Sequence, residues 1–157
     1  ILLLNKKKEG FGMESIILEL NNFLADLNVF YRKLQNYHWN VTGKGFFTTH
    51  EKLEEYYDEI REQIDEVAEH ILSLGYQPLG TMQDFINNSE IQEARNEKIK
   101  TLEIVKSVIH DIQILNTKAT KIKEESEKQA NYVTSSIMDN YLENYAKKMW
   151  MLNETLK

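Results

Sequence analysis

Five side chains in the first half of this sequence have the types and the spacing to hold a metal ion. His38 and His50 stand twelve residues apart across a glycine-bearing break, within NYHWNVTGKGFFTTH. Behind His50 runs an acidic segment in which Glu54 falls one helical turn on, and Asp65 and Glu69 are one turn apart from each other. On a helix, the step from Glu54 to Asp65 returns to within about 20° of the same azimuth, so His50 and the three acids would share one strip. His38 lies near the end of the preceding segment, and a short antiparallel connection brings it beside His50 and Glu54. Two imidazoles and a carboxylate suit iron, zinc or manganese, and positions left open suit reactive iron. The chain has no cysteine, so thiolate ligands and disulfides are excluded.

Asp65 cannot join that group within one chain. Fifteen residues of helix separate it from His50, about 22 Å at the usual rise. Either Asp65 and Glu69 are surface acids unrelated to the histidines, or a second copy supplies them. Antiparallel pairing of the same surfaces about a two-fold axis would bring His38, His50 and Glu54 of one chain to Asp65 and Glu69 of another, creating two equal sites. Each residue also has a plain reading. An acid on a helix flank is ordinarily a solvated charge, Asp58 and Glu62 show that the helix is simply acidic, and His38 beside Trp39 reads equally as a hydrogen-bonded interior histidine.

The elements that must position these groups are helices. Six glycines and one proline punctuate 157 residues, and long stretches hold neither. From Glu14 to about Val41, apolar residues recur in steps of three and four (Ile17, Leu20, Phe23, Leu24, Leu27, Phe30, Leu34), one face of an amphipathic helix. TGKG ends it. A second helix is expected from about Phe47 to Leu74, with Thr48 or Thr49 as its cap and Gly75 and Pro78 as its stop. Residues 75–95 form a longer connection in which TMQDFINN has the spacing of a short helix. A third helix is expected from about Asn96 to Lys128, with Ile99, Leu102, Val105, Ile109 and Ile112 on its apolar face, and a fourth from about Tyr132 to Leu156. No strand-like alternation is visible. The layout is an all-α, ferritin-like four-helix bundle whose long crossover between helices two and three carries a short extra helix.

Composition sets the remaining bounds. The chain fits one domain of residues 13–157, with a formal charge of −6 that disfavours nucleic acid and suits a protein that attracts cations. No apolar run approaches the length of a membrane span, and the lack of cysteine is compatible with the cytoplasm. Residues 1–12 read as a non-native or flexible extension: the first methionine is Met13, and Lys8-Glu9-Gly10 could be encoded by a purine-rich run resembling a ribosome-binding site. A basic tail is the competing reading.

The run NYHWNVTGKGFFTTHEKLEEYYDEIREQIDEVAEHILSLGYQPL closely resembles the signature of the Dps family, the miniferritins, and the ending MWMLNETL resembles that family's last helix. The resemblance spans Met13 to Lys157. It implies a dodecameric hollow shell and oxidation of ferrous iron, usually with hydrogen peroxide, at sites shared across a two-fold dimer interface. The ferric product is stored inside. His38, His50, Asp65 and Glu69 match family ligand positions. Position 54 is commonly Asp in the family and is Glu54 here, which bears on the second metal. Zinc suits the same ligands. Imidazole binds metal only when neutral, so affinity should fall below about pH 6.5. One ferrous ion gives peroxide one electron and releases a hydroxyl radical, whereas two oxidised together avoid that. Trp39 is placed to quench stray oxidising equivalents or to pack at a subunit contact.

Two departures stand out. Family members often carry acids around a Val-Thr pair where helix four begins, lining channels for iron, yet here the segment reads Asn131-Tyr132-Val133-Thr134-Ser135-Ser136. Glu124, Glu125, Glu127 and Asp139 are the nearby acids. His70 follows Glu69 where many relatives have arginine, and would orient Glu69, bridge subunits or merely pack. DNA binding does not follow from the resemblance, because a shell of chains at −6 each repels a polyanion. Two functional classes remain open: an iron-oxidising, iron-storing miniferritin, or a helical shell or interaction protein whose metal chemistry has decayed. A ferritin with its metals inside one bundle would want Glu-x-x-His motifs, which helices two and four lack.

Overall fold

The computed structural model describes the backbone of residues 2–157 and the side chains of residues 12–157. The reading of residues 1–12 as an extension falls almost wholly outside the described side chains. Four long helices, α1 (Leu2–Asn40), α2 (Phe46–Ser73), α4 (Thr101–Lys128) and α5 (Tyr132–Thr155), form the bundle, and the short α3 (Met82–Asn88) lies in the crossover. The steps of three and four in α1 bury Leu20, Phe23, Leu24, Leu27, Phe30 and Leu34 almost completely. They meet Ile60, Val67 and Ile71 of α2, Ile104, Ile112 and Leu115 of α4, and Met138 and Tyr145 of α5. At roughly 1.5–3 kcal/mol per fully buried large apolar side chain, this face dominates the folding free energy.

The expected layout of four long helices and one short one holds, with local corrections. Thr48 and Thr49 do not cap α2. The helix starts at Phe46 behind Gly45, whose φ of 82° is open chiefly to glycine, and the Thr49 N–H donates to the Gly45 carbonyl at 3.0 Å. At the other end Gly75, φ 85°, closes α2 as Tyr76 N–H reaches back to the Ile71 carbonyl at 3.2 Å. α4 begins at Thr101 rather than near Asn96. Ile99–Lys100 is instead a short strand, β2, pairing in parallel with β1 (Val41–Thr42), and those paired backbone groups cannot also enter a helix. Leu102, expected in the core, is accordingly exposed, while Ile104, Val105 and Val108 are buried.

Polar groups strap the crossover along α1. Asn21 accepts from the Leu79 N–H at 2.8 Å. Asp26, fully buried, accepts from the Ser89 hydroxyl at 2.9 Å and from the N–H groups of Glu90 and Ile91 at 2.7 and 3.2 Å. Asn36 donates to the Ala94 carbonyl at 3.2 Å, and Lys98 to the Trp39 carbonyl at 3.3 Å. Together with the β1–β2 clip, these contacts fix the turn between His38 and His50.

Candidate metal centre

His38 sits on the last turn of α1 and His50 at the start of the second turn of α2. The five-residue join of β1 and Gly43–Gly45 folds them together, as the spacing suggests. The rings stack with centroids 3.7 Å apart and planes inclined by 17°. Each Nδ1 faces the other residue's backbone carbonyl: His38 Nδ1 lies 2.7 Å from the His50 oxygen, and His50 Nδ1 lies 2.8 Å from the His38 oxygen. A carbonyl oxygen only accepts, so both Nδ1 atoms carry hydrogen. In the neutral rings both Nε2 atoms then hold free lone pairs, the state a metal-binding imidazole requires. The hydrogen bonds that set the tautomer are also those that fix ring orientation. His38 is buried and His50 half-buried, so neither is simply a solvated surface histidine.

Aromatic rings continue on both sides of the pair. Phe46 stacks on His50 at 5.2 Å, and Tyr57 packs edge-on against His38 at 5.5 Å. Tyr31 in turn meets Tyr57 edge-on at 6.0 Å. The Tyr57 phenol is held above its ordinary pKa, first by desolvation and then by the charges of Glu54 and Asp58. Reading Tyr57 only as part of the apolar stripe of α2 misses its contact with His38, which depends on ring directions and not on spacing. Trp39 is 56% exposed, with the Arg32 guanidinium 6.0 Å from its ring centre.

The remaining candidates lie along α2. Glu54 is exposed one turn beyond His50. Asp65 and Glu69 are exposed further down, lining an open concavity with Glu62, Glu66, His70, Ser73 and Ile137. Among the described residues, no three histidine or acidic side chains of this single chain gather closely enough to hold a metal ion. The chain thus brings His38 and His50 together and leaves Asp65 and Glu69 apart from them. His70 turns away from Glu69: its Nε2 meets the Thr134 hydroxyl at 2.7 Å, joining α2 to α5, and burial lowers its pKa. Beside them Glu66 takes the Tyr141 hydroxyl, and Glu59 takes Lys148 and Asn144. Burial alone would raise the Glu59 pKa, but these donors outweigh it and hold it low. Across the α4–α5 junction, Glu127 and Asp139 share the one ammonium of Lys123, at 2.7 and 3.0 Å, so half of their combined charge is countered within the chain.

The ferritin-like domain family matches residues 17–157. Antigen TpF1 of Treponema pallidum (strain Nichols) is 35% identical over 146 residues, covering 93% of this chain and 82% of its own. The DNA protection during starvation protein of Helicobacter pylori (strain J99) is 31% identical, over 87% of this chain and 95% of its own. Among solved structures, the DPS protein of Vibrio cholerae O1 superposes with a TM-score of 0.90 at 33% identity, covering 94% of this chain and 92% of that one. It is described as a member of a broad superfamily of ferritin-like diiron-carboxylate proteins. This chain belongs to the Dps family.

Proposed function

We propose that this Dps chain is a ferroxidase and iron-storage subunit acting in the cytoplasm, oxidising Fe(II) with hydrogen peroxide at sites shared between two copies. His38, His50 and Glu54 of one protomer bind the iron, and the partner's Asp65 and the partner's Glu69 complete the shell about a two-fold axis. Ferric product accumulates inside a dodecamer. The observation that carries this reading is the reciprocal pair of Nδ1–carbonyl hydrogen bonds, which leaves both Nε2 atoms free as neutral ligands. The exposure of Asp65 and Glu69 supports their availability to a second chain. Zinc is expected to compete at the same ligands, since imidazole and carboxylate suit both ions.

Protection of DNA, named for the Helicobacter relative, would here follow from removing ferrous iron and peroxide together. A charge of −6 per chain opposes binding to DNA itself. The test is anaerobic loading with Fe(II) followed by peroxide in a stopped-flow instrument, with the shell mass checked by analytical ultracentrifugation. Fast oxidation that is lost in the His38→Ala, His50→Ala variant is the expected result. Equal, slow oxidation in both proteins would leave a shell without this chemistry.

A further inference from the structure

We propose that Tyr57 is a one-electron donor to the iron centre, so that a protomer pair holding a single ferrous ion can still reduce peroxide without releasing hydroxyl radical. This rests on the ferroxidase reading above. Peroxide needs two electrons to become water and hydroxide, and one ferrous ion supplies only one. The structure places an oxidisable ring against the ligand itself: Tyr57 meets His38 edge-on with centroids 5.5 Å apart, within the range of direct aromatic contact. Its other edge meets Tyr31 at 6.0 Å, and the Tyr31 hydroxyl accepts from Gln35 at 3.1 Å. The rings of His50, His38, Tyr57 and Tyr31 therefore form one continuous file from the ligands into the α1–α2 seam. Trp39, although next to His38 in sequence, is mostly exposed and is packed with Arg32 instead.

The step balances. Fe(II), hydrogen peroxide and the Tyr57 phenol yield Fe(III), hydroxide, water and the Tyr57 phenoxyl radical. The O–O bond breaks, iron and tyrosine each give one electron, and the phenolic proton passes to the departing oxygen to complete the water. A second ferrous ion arriving later reduces the phenoxyl radical, which takes up a proton and returns to tyrosine. Two irons are then consumed per peroxide, in succession and without both being bound at once. This matters here because Glu54 stands where the family commonly has aspartate.

The experiment is freeze-quench electron paramagnetic resonance on the assembled protein, loaded with less than one Fe(II) per site and mixed with peroxide, alongside spin trapping of hydroxyl radical. Wild-type protein should show a tyrosyl signal that decays when more Fe(II) is added, with little trapped radical. Tyr57→Phe keeps the ring packing, and should lose most of the tyrosyl signal and gain trapped hydroxyl radical while still forming Fe(III). Biosynthetic 3-fluorotyrosine should change the signal's hyperfine pattern, which identifies the radical as tyrosyl. Site-dependent oxidation with no tyrosyl signal, or a signal unchanged in Tyr57→Phe, overturns the proposal. Oxidation no faster than in the His38→Ala, His50→Ala variant overturns the ferroxidase reading instead.

Discussion

Replacing Asp26 by alanine should unfold this protein far more readily than any surface change. Asp26 is fully buried, and its carboxylate carries four interactions: the Ser89 hydroxyl, the N–H groups of Glu90 and Ile91, and the Lys118 ammonium at 2.5 Å. Lys118 is itself only 8% exposed. Removing one member of such a pair leaves a poorly compensated charge in the interior, here with only the exposed Glu90 still 3.4 Å from Lys118, and such a loss costs about 3–5 kcal/mol. The crossover lies at the surface, so water can reach part of what is freed, and about 4 kcal/mol is the expected loss. At about 2–4 °C per kcal/mol for a chain of this size, the melting temperature falls by about 8–16 °C. Denaturant titration at fixed protein concentration measures it, because assembly contributes to apparent stability. Adding Lys118→Met to Asp26→Ala removes the orphaned ammonium and should recover about half the loss, since apolar replacement of both partners is often nearly neutral. A cost below about 1 kcal/mol for Asp26→Ala, or no recovery in the double variant, would refute this account of the strap.

Two further outcomes follow from the site and its neighbour. Nitrogen-15 spectra of histidine-labelled protein above neutral pH should show His38 and His50 both protonated at Nδ1 and bare at Nε2; Nε2–H signals from either would remove the reason to regard them as prepared ligands. His70 is held below its ordinary pKa by burial, so the unfolded chain takes up the proton first as acid is added. Its contribution is therefore complete above about pH 6.5 and is lost as the pH falls from there toward the depressed folded value. His70→Gln should lose less stability than wild type between neutral and mildly acidic pH, as read by denaturant midpoints, and parallel losses in the two proteins would contradict the assignment.

The helices were legible wherever burial follows a period of 3.6. Ile17 through Leu34 announced α1, and α2, α3 and α5 lie within a residue or two of their expected bounds. The start of α4 was not legible, because residues 96–100 look helical until Val41–Thr42 pairs with Ile99–Lys100 from nearly sixty residues away. The convergence of His38 on His50 could be read from the shortness of the join. Their crossed hydrogen bonds and the contact with Tyr57 could not, since ring rotation leaves no trace in spacing. The buried charges gave no local signal either, yet their placement is orderly. Asp26 pairs with Lys118, Lys33 with Asp111 at 2.7 Å, and Tyr37 with Ser107 at 2.8 Å. Each advance along α1, of seven residues and then four, is matched by the same retreat along α4, so the three pairs lie in one antiparallel register. The order of charge is acid then base on both helices. A slip of two turns would set Asp26 opposite Asp111, one buried acid against another, and leave Lys33 facing Ile104. An apolar seam of leucine and isoleucine tolerates such a slip, whereas these pairs penalise it, the best attested use of buried charge. The same register delivers the start of α4, and with it β2, to the turn that holds His38 against His50. The polar seam and the candidate metal centre are thus linked through one helix pair, although no residue is common to both.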